Sequence, residues 1–325
     1  MGEAVFKIID LSKSFGSQQV LDKISLNIFA GEIIGLIGES GAGKTTFLHT
    51  LIGFLQADEG EVLFRDHEKA AKDGSTSYLP VRKHQKRIKQ LYGFASQHPS
   101  FYEELTVKEN LHYFGVLHNL PKKVIESNTS AMLSLVGLDE TKNRPAKQLS
   151  GGMARRLDIA CSLIHNPAIL ILDEPTADLD PLLRNQIWNL VKKVNKKKTT
   201  VILSSHHLSE LESICDRIIV LKDNKILTIA KPEELKKKYA FEKTIVVQTN
   251  PGNYFRLQKE LSKKNIESTF KNGFLEIKTS KAEKTIKEFM AIGKKINEEL
   301  SYIEINTGSL DDVFVNLWKK RGNRK

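Results

Sequence analysis

The chain has 325 residues, 40% of them hydrophobic and 27% charged, the composition of ordinary globular domains, and the length suits one large domain plus a smaller one. No apolar run approaches the roughly 18–20 residues that span a bilayer, the N-terminus reads directly into a strand pattern rather than a signal peptide, and two cysteines make no disulfide framework. The formal charge of +11 admits nucleic acid or an anionic membrane face as a partner without choosing between them.

In chain order, Val5–Ile9 reads as a strand, Asp10–Gly16 as a connection and Val20–Ile28 as a second strand. Phe15 offers either a core side chain or an aromatic face for adenine. Glu32–Ile37 reads as a short buried strand. The run Gly38, Glu39, Ser40, Gly41, Ala42, Gly43, Lys44, Thr45 and Thr46 fits G-x-x-x-x-G-K-[ST], and a helix follows from Thr46 to Gly53. Strand, loop and helix together are the context this motif needs. Glycines let the loop wrap so that successive N–H groups and the positive helix end face phosphate oxygens. Lys44 adds a charge toward the β- and γ-phosphates, and the Thr45 hydroxyl is placed to hold Mg²⁺.

Glu61–Phe64 reads as another strand, and residues 65–90, polar, basic and broken by Gly74 and Pro80, as a surface insertion with a short helix near its end. Leu91–Ser96 returns to a strand and ends at Gln97, whose amide oxygen can reach Mg²⁺ or an attacking water. From 106 to 164 the pattern is helical: Val107–Leu117, Lys122–Val136, and a helix opening after Leu149–Met153. There Ser150, Gly151 and Gly152 form a second anion-binding type of helix start.

Ala168–Glu174 is an unbroken apolar run ending in two acids, as in a central parallel strand buried on both faces. Asp173 is positioned to take Mg²⁺ through water, and Glu174 to orient or deprotonate the attacking water. The competing reading is an acidic N-cap cluster ahead of Pro175. Helix Leu182–Val194 and strand Thr199–Ser205 follow. His206, just past that strand, can hydrogen-bond a γ-phosphate oxygen, and spacing alone leaves the adjacent His207 open. Cys161 and Cys215 lie in apolar helical patterns and are expected to be buried free thiols.

G-E-S-G-A-G-K-T-T, Gln97, L-S-G-G-M (149–153), I-L-I-L-D-E-P, A-D-L-D (177–180) and S-S-H-H resemble, in this order and spacing, the nucleotide-binding subunit of an ATP-binding cassette (ABC) transporter. The resemblance covers about the first two-thirds of the chain. It implies an α/β P-loop ATPase core over 1–230 with a helical subdomain over about 98–165. It makes 149–153 the signature motif, 177–180 the D-loop and His206 the switch histidine. It further implies ATP and Mg²⁺, with each ATP held between one P-loop and the signature serine and glycines of a second cassette, in a homodimer or heterodimer. Two departures stand out: Met153 for the usual glutamine, and Asp178 for the usual glycine or alanine.

Residues 231–243 read as a linker carrying a basic helix, Lys231–Tyr239. Over 244–325 the pattern is βαββαβ with a hairpin at Asn272–Gly273, a small ferredoxin-like α+β domain, followed by a tail helix Leu310–Trp318. The ending Ser309–Leu317 resembles cassettes that serve type-2 exporters for drugs and antibiotics. The expected function is therefore an ATPase at the cytoplasmic face of the membrane, driving a separate transmembrane permease subunit that docks near Gln97 and 99–104, with no nucleic-acid partner. The alternative is a soluble cassette ATPase acting on ribosomes or nucleic acid. Translation cassettes carry two cassettes in one chain and DNA-repair types insert long coiled coils, and this sequence has neither a repeat nor sustained heptads.

Overall fold

The computed structural model describes residues 2–66, 78–206, 208–239 and 243–307, together with Leu310 and Val313. The chain divides into two compact units, residues 1–231 and 232–325.

The described residues of the first unit form two sheets. Strands β1 (Ala4–Phe15), β2 (Gln18–Phe29), β4 (Glu59–Arg65) and β5 (Tyr78–Pro80) form an antiparallel sheet in the order β2-β1-β4-β5. The other sheet runs β10-β9-β3-β8-β7-β6, where β3 is Ile33–Ile37, β6 Tyr92–Ala95, β7 Ile169–Leu172, β8 Thr200–Ser204, β9 Arg217–Lys222 and β10 Lys225–Ala230. All its neighbouring pairs are parallel except β9 and β10. Every residue of β3, β7 and β8 is buried, which is why these stretches read as continuous apolar runs rather than alternating ones.

Two sequence expectations need correction. β1 does not stop at Ile9 but continues through Phe15. Its alternation is broken by an irregularity between Ile8 and Leu11, where Asp10 has a positive φ of 44° and accepts a hydrogen bond from Ser25 Oγ. Nor is 65–90 simply a surface insertion. β5 pairs with β4, and Val81 and Ile88 belong to the main core, two apolar anchors hidden in sequence by the surrounding lysines and arginines. The short helix expected there is α2 (Gln85–Ile88), after α1 (Lys44–Leu51); residues 67–77 lie outside the described residues.

Helices α3 (Val107–Leu117), α4 (Lys122–Val136) and α5 (Gly151–Leu163) pack on one another, and α5 also packs on β6. A reciprocal capping box of Thr106 and Glu109 starts α3, and Gly137 in the left-handed region ends α4. Helix α6 (Pro181–Lys196) starts with Asp180 as cap and proline in its first turn, and α7 (Leu208–Glu212) follows β8.

In the second unit, α8 (Pro232–Tyr239) precedes β11 (Lys243–Asn250), α9 (Tyr254–Ser262), β12 (Ser268–Lys271), β13 (Phe274–Thr279), α10 (Ala282–Ile296) and β14 (Glu299–Thr307). The sheet is antiparallel in the order β12-β13-β11-β14, and Ile245, Val247, Leu275 and Ile277 meet Leu257, Leu261, Phe289 and Ile292 of the two helices in one core. Of the tail helix expected at 310–318, only Leu310 and Val313 are described, and both are buried.

Candidate nucleotide site

The chain reverses from strand to helix at the C-terminal ends of β3, β7 and β8, so the groups of interest gather at one edge of the parallel sheet. Between β3 and α1 the loop turns through Gly41 (φ 79°) and Gly43 (φ 94°). A Cβ on Gly43 would sit 2.9 Å from both the carbonyl oxygen and Cγ1 of Val20, so only glycine fits there. Lys44 is the first residue of α1. Its Nζ donates to the carbonyls of Gly38 (3.0 Å) and Glu39 (3.2 Å) and lies 3.8 Å from Glu174 Oε1.

Thr45 Oγ1 donates to Asp173 Oδ2 at 2.7 Å. The other carboxylate oxygen, Oδ1, accepts from Ser204 Oγ at 2.5 Å, and Ser204 Oγ accepts in turn from the Glu174 N–H at 2.9 Å. The buried Ser204 hydroxyl therefore joins the two acids at the tip of β7. Nothing in the sequence singled it out, because a serine ending a buried strand has no motif of its own. Glu174 has a positive φ of 48°, a strained backbone conformation for a residue other than glycine. Its Oε2 lies 2.7 Å from His206 Nδ1. His207 lies outside the described residues.

These groups border a cavity of about 680 Å³ lined by Phe15, Val20, Ser40, Gly41, Gly43, Lys44, Thr45, Thr46, Gln97, Glu174 and His206, a size that suits a nucleotide. Phe15 is half exposed at its mouth, with Lys13 Nζ 5.6 Å from the ring centroid. Lys13 is held by Asp58 at 2.6 Å, and that contact depresses the Asp58 carboxyl below its ordinary range. Gly38, Glu39, Ala42 and Asp173 are not among the lining residues; the Gly38 and Glu39 carbonyls accept from Lys44, and Asp173 accepts from Thr45.

Ser150, Gly151 and Gly152 do not line this cavity. Ser150 caps α5 by accepting from the Met153 N–H. A Cβ on Gly151 would meet nothing within 4 Å, whereas one on Gly152 would lie 2.6 Å from Leu183 Cδ2. A side chain on the second glycine would displace the Leu183 side chain of α6, and the first faces open space. Asp178, in the place of a usual glycine or alanine, has φ 60°. Cys161 and Cys215 are buried free thiols, and burial pushes both well above the ordinary thiol range.

The family model described as ABC transporter matches residues 21–177. The Nod factor export ATP-binding protein I of Ralstonia nicotianae is 34% identical over 231 residues, covering 71% of this chain and 68% of that protein. The chain belongs to the ABC transporter family. It is accordingly an ATP-binding ATPase of the cassette type. The linearmycin resistance ATP-binding protein LnrL of Bacillus subtilis is 27% identical over 311 residues, covering 95% of this cassette and 96% of LnrL, second unit included. Among solved structures, cbiO1 of Clostridium perfringens, part of the ABC transporter complex cbiONQ, superposes with a TM-score of 0.64 at 27% identity over 73% of this chain and 92% of that one.

Proposed function

We propose that this cassette is the ATP-hydrolysing subunit of an exporter, working at the cytoplasmic face of the membrane on a separate permease. The observation that carries the mechanism is the separation of two anion-binding helix starts. One, at Lys44, opens onto the cavity, while the other, at Ser150 and Gly151, stands outside it. A second cassette, in a homodimer or heterodimer, supplies its Ser150, Gly151 and Gly152 to cover the triphosphate bound at this P-loop.

In this reading Phe15 stacks on adenine, and the N–H groups of Gly38 to Thr46 with Lys44 hold the phosphates. Thr45, Asp173 and the Gln97 amide are hard oxygen donors that suit Mg²⁺, with Thr45 and Asp173 already in contact. Held by these residues, Mg²⁺ would supply charge neutralisation to the phosphates. Glu174 accepts the proton of the attacking water, and His206, whose Nδ1 meets Glu174 in this structure, gives up that contact to donate its ring N–H to a γ-phosphate oxygen. Lys44 releases the Gly38 and Glu39 carbonyls as it takes up the phosphates.

Export is supported by the functions for which the relatives are named, Nod factor export and linearmycin resistance. Among the described residues no helix is long and apolar enough to cross a membrane, and in this reading the translocation path belongs to another chain. Its docking site is the surface around Phe101 and Tyr102. The Tyr102 and Tyr113 hydroxyls pair at 3.0 Å with their rings edge to face, and Val116 and Leu117 are exposed nearby on α3. The second unit has the βαββαβ connection and the 2-3-1-4 strand order of a ferredoxin-like domain, and we assign it that fold and a dimer-clasping role.

The test is purification of the tagged chain from detergent-solubilised membranes. A polytopic membrane protein recovered in stoichiometric amount supports the reading. Recovery with ribosomes, and no membrane partner, would replace it with the soluble alternative.

A further inference from the structure

Arg155 sits in the second turn of the signature helix α5 and is buried, with only 6% of its surface exposed. Its neighbour Arg156 turns the other way and donates to the Val136 carbonyl at the end of α4. Arg155 reaches into the sheet. Its Nε donates to the Pro175 carbonyl (3.0 Å), and its Nη2 to the Asp173 carbonyl (3.1 Å). Its Nη1 donates to the Ser96 carbonyl (2.5 Å) and to Asp158 Oδ2 (3.2 Å). The same Asp158 accepts, through Oδ1, from both the N–H and the Oγ of Ser100 at 2.9 Å.

One guanidinium thus holds the backbone on both sides of Glu174 and the residue before Gln97, and its carboxylate partner holds the chain three residues after Gln97. Burial lowers the Arg155 proton affinity while Asp158 and Asp173 oppose that effect, and burial raises Asp158. A charge this deep needs every one of those acceptors. Four planar, directed N–H bonds also demand a fork that lysine cannot reproduce in full. We infer that Arg155, braced by Asp158, is a positioning residue for ATP hydrolysis: it locks the signature helix to the backbone that aims Glu174 and Gln97 at the γ-phosphate. When a partner's ATP draws the signature helix of this cassette, Arg155 carries the displacement to the cassette's own hydrolytic groups. This rests on the roles given above to Glu174 and Gln97.

None of these hydrogen bonds of Arg155 goes to a side chain that lines the nucleotide cavity, so its removal is expected to act on turnover and not on binding. The experiment compares the full-length wild type with Arg155→Lys, Arg155→Met and Arg155→Met/Asp158→Asn. ATP turnover is normalised to folded protein, and Mg·ATP affinity is measured by equilibrium binding. Misaiming Glu174 by about an ångström predicts a kcat for Arg155→Met about ten- to a hundredfold lower, with KM and Kd within about twofold. Arg155→Lys regains part of the kcat. The double variant removes the uncompensated buried carboxylate and recovers thermal stability, but not turnover. Should Arg155→Met fail to fold, the double variant and Arg155→Lys carry the comparison. A kcat per folded molecule within twofold of wild type, or its return in the double variant together with Tm, would reduce Arg155 to a structural ion and overturn the inference. Glu174→Gln in the same assay separates the two levels: wild-type turnover by that variant removes the role of Glu174 itself, whereas a slow Glu174→Gln beside a fast Arg155→Met sinks only the claim about Arg155.

Discussion

Replacing Ser204 by alanine removes one oxygen from the centre of the site and leaves the packing nearly intact. That hydroxyl donates to Asp173 Oδ1 at 2.5 Å and accepts from the Glu174 N–H at 2.9 Å, and its residue is fully buried. A hydrogen bond to an ionised carboxylate is worth roughly 1.5–3 kcal/mol, and a stranded backbone N–H costs about 1–3 kcal/mol. Because the two losses share one atom and relax together, we expect a destabilisation of about 3 kcal/mol rather than their sum. Among the described residues Asp173 then keeps only Thr45 as a side-chain donor, and Glu174 loses the bond that fixes its strained backbone, so kcat falls about tenfold or more. Urea denaturation at fixed Mg²⁺ gives the first number and steady-state ATP turnover the second. A cycle with Asp173→Asn should show a coupling of at least about 1 kcal/mol. A stability change below about 0.5 kcal/mol with unchanged kcat would refute the reasoning, since it would mean that Ser204 supports neither acid.

Three further outcomes follow from single features. Phe15→Ala removes one stacking face from the cavity mouth; at roughly 1–3 kcal/mol per stacked base, KM for ATP rises about five- to a hundredfold with kcat little changed. Asp178→Gly relieves a left-handed residue (φ 60°) and is expected to raise stability by up to about 1 kcal/mol in thermal or chemical unfolding; a loss would mean that the Asp178 side chain makes a compensating contact. His118 and His165 stack with centroids 3.6 Å apart, and burial, aided by the proximity of His118, lowers His165 from 6.5 to about 4. The unfolded chain then binds more protons between pH 6.5 and 4, so this contribution is whole above 6.5 and is lost as pH falls through 4. The limit is about 3 kcal/mol. His165→Phe should flatten the fall in stability between pH 7 and 4.5 relative to wild type, and parallel curves would dismiss the pair as its source.

Much of this site was legible because its motifs force backbone geometry. The P-loop glycines, the buried runs of β3, β7 and β8, and Gln97, Glu174 and His206 at strand ends all converge on one cavity. What escaped was of another kind. Ser204 and Arg155 act through hydrogen bonds to groups about 30 and 20 residues or more away, and neither residue type in its local pattern signals a long-range partner. The β1 irregularity at Asp10 and the anchors Val81 and Ile88 were masked by polar neighbours, so local composition outweighed the core they serve. Conversely, Gly152 reads as a phosphate-binding residue, yet the neighbour its missing side chain makes room for is Leu183.

The central claim is that a triphosphate at this P-loop is sealed by a second cassette and released only when Glu174 drives hydrolysis. Size-exclusion chromatography of Glu174→Gln with Mg·ATP, with the nucleotide content of each peak determined, tests it most directly. The account predicts a dimer holding two intact ATP molecules, and a monomer when Lys44→Ala is added. A nucleotide-free monomer, or a variant that empties its ATP as fast as the wild type, would contradict it.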